Sequence, residues 1–159
     1  MNSNKLLLNG ILVFSILSLS IAYFTQYVLG HKPCNLCIIE RIPYIATIIL
    51  SSLIFILNKY EKIISSLILI FFIFCAVVSF YHFGIEQGFF EESAVCGLKN
   101  ASESISKEEL LKQLQGGTVS CKDVTFRIFG FSLTTFNIII SLILIVFTTK
   151  IFINYEKNK

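Results

Sequence analysis

The sequence predicts an all-α membrane protein: a four-transmembrane-helix bundle with two extracytoplasmic loops, the second carrying a short amphipathic helix. Three observations predict it. Of the 159 residues, 55% are hydrophobic and 14% charged, where a typical soluble domain has about a quarter charged. The mean hydropathy is +0.78, more apolar surface than a soluble chain of this size can hide. The apolar residues also fall into four long runs separated by short polar stretches and one long one. There is room for a single membrane domain over residues 1–159. The net charge of +3 is small and dispersed, so nucleic acid is not an expected partner.

Each span is read from its run. Leu6 to Gly30 has no charge and exceeds the ~20 residues that cross a bilayer, giving a span near 6–28. It outlasts the roughly 7–15-residue apolar core of a cleaved signal and ends at Tyr23 and Tyr27 rather than at a small-x-small site, so a retained helix is expected. A short charged loop, near 29–41, precedes the run from Ile42 to Leu57. Extended back to Ile38, that run makes a span near 38–57 with Pro43 in its first turn, where a missing N–H is tolerated. Asn58 to Lys62 is a polar turn. Ile63 to Tyr81 is a third uncharged span.

The stretch near 82–130 has seven acids and five bases, and a loop of that length is expected to have a function. Within it, Ser106 and Glu109 form a capping box and Ile105 and Leu110 the matching staple. Leu110, Leu111 and Leu114 give a short helix one apolar face before Gly116 and Gly117 end it. Such a helix suits a membrane surface or packing on the other loop. The fourth span runs near 131–153. Four spans put both termini and the Lys59–Lys62 turn on one side. Lys5, Lys59, Lys62, Lys150, Lys157 and Lys159 gather there, which makes that side cytoplasmic by the positive-inside rule. All six tyrosines fall near span ends, as an aromatic belt requires.

Four of the five cysteines, Cys34, Cys37, Cys96 and Cys121, thereby share an oxidising compartment, where disulfides form and persist. Cys75 lies mid-span and reads as a small buried hydrophobe. Cys34 and Cys37 form a Cys-x-x-Cys pair, a setting that often lowers a thiol pKa. If the second span starts near Cys37, its amides favour a thiolate there. Arg41, one helical turn beyond, adds a fixed positive charge at the lipid boundary and is a functional candidate by default. Its plainer reading is a headgroup anchor or a partner for Glu40. His82, just after the third run, reads as an interfacial histidine or a cofactor contact.

Lys32-Pro33-Cys34-x-x-Cys37-Ile38-x-Glu40-Arg41 resembles the signature of the bacterial disulfide bond formation protein B (DsbB) family. Tyr81-His82-Phe83-Gly84-Ile85-Glu86 and Phe129-Gly130-Phe131-Ser132-Leu133 also resemble family stretches, and the likeness covers nearly the whole chain. It implies a quinone-dependent thiol oxidase of the bacterial inner membrane, acting on a periplasmic thioredoxin-like partner of the DsbA type. By that likeness Cys96 and Cys121 exchange with the partner, Cys96 taking the mixed disulfide. Cys34 and Cys37 pass electrons to ubiquinone or menaquinone, and Cys37, Arg41 and His82 are the cofactor-binding residues. A Cys34–Cys121 bridge would link the two pairs. No metal is implied.

Three alternatives stand beside this reading. The loop cysteines could be structural disulfides only, or a zinc site joining the loops, although structural zinc sites usually show two close ligand pairs. The protein could also be a relative dedicated to a single substrate.

Overall fold

In the computed structural model, the described residues are 3–56, 60–92, 96, 119–122, 127–128 and 130–157. The helices among them are α1 (Ser3–Tyr27), α2 (Asn35–Ile39), α3 (Ile42–Ile56), α4 (Glu61–Glu86) and α5 (Leu133–Lys157). A two-residue ladder of β1 (Arg127–Ile128) and β2 (Phe131–Ser132) leads into α5. Four segments are long and apolar enough to cross a membrane: Asn4–Tyr27, Asn35–Ile54, Glu61–Glu86 and Leu133–Asn154. The chain is therefore a four-helix membrane bundle with α2 and α3 sharing one span. The expected helix from Ser106 to Gln115 lies outside the described residues.

Two boundaries differ from those read in the sequence. The second span breaks at Glu40–Arg41, because Pro43 has no N–H to bond back to Ile39. Backbone bonds from Arg41 to Ile38 and from Ile45 to Arg41 carry the chain across the break. The third span does not end at Tyr81. It runs one further turn to Glu86, so His82 is a helical residue and not the start of a loop. In that last turn His82 meets Glu40 of the α2–α3 turn and Glu86 accepts from Thr134 of α5, which offsets the penalty that would otherwise end an apolar run there.

α4 packs most extensively on α5, and α3 sits against both α1 and α4. The core includes Leu8, Ile54, Ile68, Phe72, Cys75, Leu144 and Ile151. Large apolar side chains such as Val13, Ile49, Val77, Phe80 and Val146 point outward, the arrangement expected where lipid is the solvent. Small polar residues fill the helix contacts: Ser15, Thr47, Ser51, Ser65, Ser79, Ser141 and Thr148 are buried. Ser15, Ser141 and Thr148 donate to carbonyls one turn back, which lets backbones approach without stranding a hydroxyl.

α4 is stopped by backbone geometry. Gly88 has φ +78° and its N–H bonds to Ile85 O, a left-handed cap that glycine adopts without strain. The N–H groups of Phe89 and Phe90 both return to Gly84 O. A Cβ on Gly84 would collide with the Phe90 ring, so that glycine is what lets Phe90 fold back and stack on Tyr81 at 5.6 Å.

Candidate active site

Both cysteine pairs gather at one end of the bundle. Cys34, Cys96 and Cys121 are buried together with Leu36 and Ile85, and Cys37, Ile39, Val78 and Tyr81 pack around them. Cys96 and Cys121 are joined as a disulfide. Glu92 ties the flanking chain together, accepting from Ser120 Oγ and from the Lys122 N–H. Cys34, Cys37 and Cys75 are free thiols. Cys34 Sγ, Cys121 Sγ and a ring nitrogen of His82 all lie within 4.8 Å of one another. Those three are soft-metal donors, but the Cys121 sulfur is bonded to Cys96 and offers no thiolate in this state.

Local structure decides which thiol ionises. Cys34 is the N-cap of α2, and its sulfur accepts the Cys37 N–H at 3.2 Å. The helix amides thus serve Cys34, whereas the sequence assigned them to Cys37, because the helix begins at Asn35 instead of near Cys37. The two sulfurs are 2.7 Å apart. The Cys37 thiol, donating to the Cys34 sulfur, holds the Cys34 thiol down to about 4, against the opposing effect of burial. His82, with Nε2 at 3.5 Å, pushes the same way.

Behind Cys34 lies a buried polar seam. His82 Nδ1 donates to Glu40 Oε1 at 2.9 Å, and Asn137 Nδ2 donates to Glu40 Oε2, also at 2.9 Å. Asn137 Nδ2 further reaches Ser79 Oγ, and Tyr44 OH donates to Asn137 Oδ1. Thr134 Oγ1 donates to Glu86 Oε1 at 2.6 Å. Glu86 Oε1 stands 3.7 Å from His82 Nε2, while Glu86 Oε2 is buried with no partner among the described residues. Glu40 and His82 are only 8% and 2% exposed. Ionisable groups so placed within spans are expensive unless paired, and they mark function by default.

Glu40 therefore does not pair with Arg41. Its oxygens are taken by His82 and Asn137, while Arg41 turns to α1, where Nη1 donates to Gln26 Oε1 at 2.5 Å and the guanidinium lies 5.0 Å from the Tyr23 ring centre. Cys75, read as a buried hydrophobe, is fully buried, and its sulfur also touches the seam through Asn137 Nδ2 at 3.8 Å.

A cavity of about 450 Å³ opens beside the thiols. One wall is apolar, with Phe14, Leu17, Ile21 and Ala22 of α1 and Phe136 and Ile140 of α5. Cys37, Arg41, His31, Lys32 and His82 border it as well. The structure thus brings Cys34, Cys37, Cys121, Arg41 and His82 to one cavity, with Cys96 bonded just behind it. The sequence reading missed the seam of Glu40, Glu86, Thr134, Asn137 and Tyr44. Its signal is present: Cys75, Ser79, His82 and Glu86 recur at helical spacing on one face of α4, as do Thr134, Asn137 and Ser141 on α5.

A family model described as "Disulfide bond formation protein DsbB" matches residues 4–151. The uncharacterized protein RP370 of Rickettsia prowazekii (strain Madrid E) is 30% identical over 155 residues, covering 96% of this chain and 90% of that relative. No solved structure matches the chain. A family match over nearly the full length, on a four-helix membrane bundle with two cysteine pairs at one end, makes the chain a member of the DsbB disulfide bond formation family.

Proposed function

We propose that the protein is a quinone-dependent thiol oxidase of the bacterial inner membrane that reoxidises a periplasmic DsbA-type dithiol partner. The observation that carries this reading is the stacking of the two cysteine pairs: Cys121 Sγ lies within 4.8 Å of Cys34 Sγ, and Cys37 borders the cavity that Arg41 also lines. Electrons entering at Cys96–Cys121 have a short path to Cys34–Cys37, by a bridge between Cys121 and Cys34. Cys96, which the partner would attack, is buried in this disulfide. Structural staples alone would not place a Cys-x-x-Cys pair against the loop disulfide and beside an apolar cavity bordered by Arg41.

The cavity fits a quinone headgroup. It has an apolar wall for a ring and its tail, with a fixed cation and a thiol at one end, the mix of apolar lining and few polar groups that small-molecule sites show. When bound, a quinone of the ubiquinone or menaquinone type supplies the two-electron acceptor for the inner dithiol. Arg41, pinned by Gln26 and Tyr23, gives the electron-accepting end of the cavity a permanent positive charge. Cys37 borders the same cavity, and Cys34 beside it is held toward the thiolate by the Cys37 thiol and His82. The lysine distribution supports cytoplasmic termini and periplasmic cysteine loops.

The test is quinone reduction in detergent, with a reduced thioredoxin-like dithiol protein as donor and soluble ubiquinone and menaquinone analogues as acceptors. Turnover lost in Cys37→Ser, with a raised quinone KM in Arg41→Ala, is the expected result. Intact disulfides with no turnover on either quinone class would overturn the reading in favour of structural disulfides.

A further inference from the structure

We infer that His82, oriented by Glu40, is the acid–base residue for sulfur exchange between the two cysteine pairs. The inference rests on the thiol-oxidase reading above and adds a step inside it. The contacts that carry it come from four parts of the chain. Glu40 Oε1 accepts from Nδ1 at 2.9 Å, and in a neutral imidazole that bond leaves Nε2 as the basic atom. Nε2 lies 3.5 Å from Cys34 Sγ, and Cys121 Sγ falls inside the same 4.8 Å cluster. Nucleophile, base and orienting carboxylate are thus neighbours, the grouping by which a base activates a thiol. Asn137, held by Tyr44 and Ser79, fixes the second oxygen of Glu40, so the carboxylate cannot turn away.

The exchange begins once the partner has reduced the loop pair. Cys121 gives its thiol proton to Nε2 and its thiolate attacks Cys34 Sγ. The Cys121–Cys34 bond forms and the Cys34–Cys37 bond breaks, with the electron pair leaving on Cys37. Cys96 then loses its proton through solvent to Cys37 and attacks Cys121 Sγ. The loop disulfide re-forms and Cys34 leaves as a thiolate beside the protonated ring. Two electrons have moved inward, and the two protons rest on His82 and Cys37. In the structure Cys96 is joined to Cys121, and Cys34 Sγ lies 3.5 Å from Nε2.

The titratable groups facing the ring are Glu40 from the α2–α3 turn, Cys34 ahead of α2, Cys121 from the second loop and Glu86 on α4 itself. α5 contributes neutral Thr134. Arg41, His31 and Lys32 border the same cavity.

The experiment is a single turnover of the fully oxidised protein in detergent without added quinone. Reduced partner is mixed in, the reaction is stopped by acid and alkylation, and each cysteine pair is assayed by mass. His82→Gln should leave reduction of Cys96–Cys121 unchanged while slowing arrival of electrons at Cys34–Cys37 by about 100-fold or more at neutral pH, the usual scale of a general base. The gap should narrow as rising pH ionises Cys121 without help. Glu40→Gln, nearly isosteric, should give an intermediate loss with the same narrowing, and it carries the test if His82→Gln does not fold. Wild-type exchange at every pH, with any loss confined to quinone reduction, would overturn the inference. So would a slowing that is equal at every pH, since that marks misplacement of the pairs. Failure of the wild-type protein itself to pass electrons from the loop pair to Cys34–Cys37 would instead sink the thiol-oxidase reading.

Discussion

At the scale of single residues, the site depends on which sulfur receives the hydrogen bonds. Cys34 has the Cys37 thiol, the Cys37 amide and His82, and its thiol is held down to about 4. A group whose folded value lies below its unfolded one stabilises the fold above the unfolded value, near 8.5 for a thiol, and loses that contribution as pH falls toward the folded value. The melting temperature of the reduced protein should therefore exceed that of reduced Cys34→Ser most at about pH 9, with the gap closing toward pH 4. Cys37→Ala, which removes the thiol donor, should raise the midpoint of the Cys34 thiolate absorbance; an unmoved midpoint would mean that His82 and the residue-37 amide hold it. Asn137 makes a second case. Asn137→Leu strands Glu40 Oε2 and Tyr44 OH, and each buried unpaired group costs about 1–3 kcal/mol. A clear drop in melting temperature in detergent is expected, and an unchanged one would show that the seam tolerates the vacancy.

At the scale of elements, the end of α4 sets the depth of the site. Gly88→Ala forces an L-residue into the left-handed region, at about 1–2 kcal/mol, and Gly84→Ala drives Phe90 off Tyr81. Both should raise chymotrypsin cleavage after Phe89 and Phe90, and resistance equal to wild type would show that the cap is dispensable. The same helix shows what a sequence reveals and what it hides. Four apolar runs, the Cys-x-x-Cys pair and Arg41 were legible because each is a local pattern. The last turn of α4 was not, since His82 and Glu86 look like the end of an apolar run until their partners Glu40 and Thr134, 42 and 48 positions away, are seen to satisfy them. The place of Cys34 as N-cap was hidden for a smaller reason: a shift of about two residues in the helix start moves the amides from one sulfur to the other. The pairing of Glu40 with Arg41, which the sequence left open as an alternative, does not form because Arg41 points to a different helix.

At the scale of the whole molecule, lipid-facing side chains surround a bundle whose buried ionisable groups, among the described residues, are collected at one end. The proposed orientation predicts that a cysteine placed at Glu92, in a background where the native cysteines are blocked, reacts with a membrane-impermeant maleimide in intact spheroplasts. One placed at Glu61 should react only after lysis. The reverse pattern would turn the topology over and move the thiols to the cytoplasm. The bundle also has a geometric tolerance built into it at Glu40–Arg41, where neighbouring residues serve opposite walls: the carboxylate enters the seam between α4 and α5 and the guanidinium faces α1. A helical chain turns about 100° per residue. Losing one position between Cys37 and Glu40 would rotate Glu40, Arg41 and all of α3 by that angle relative to the thiols. Both charges would leave the walls that receive them, while hydropathy, span length and cysteine count stayed nearly untouched. Such a chain would still insert as four spans and still form its loop disulfide, yet it would have no inner site, so the spacing from Cys37 to Arg41 is fixed by rotation rather than by reach.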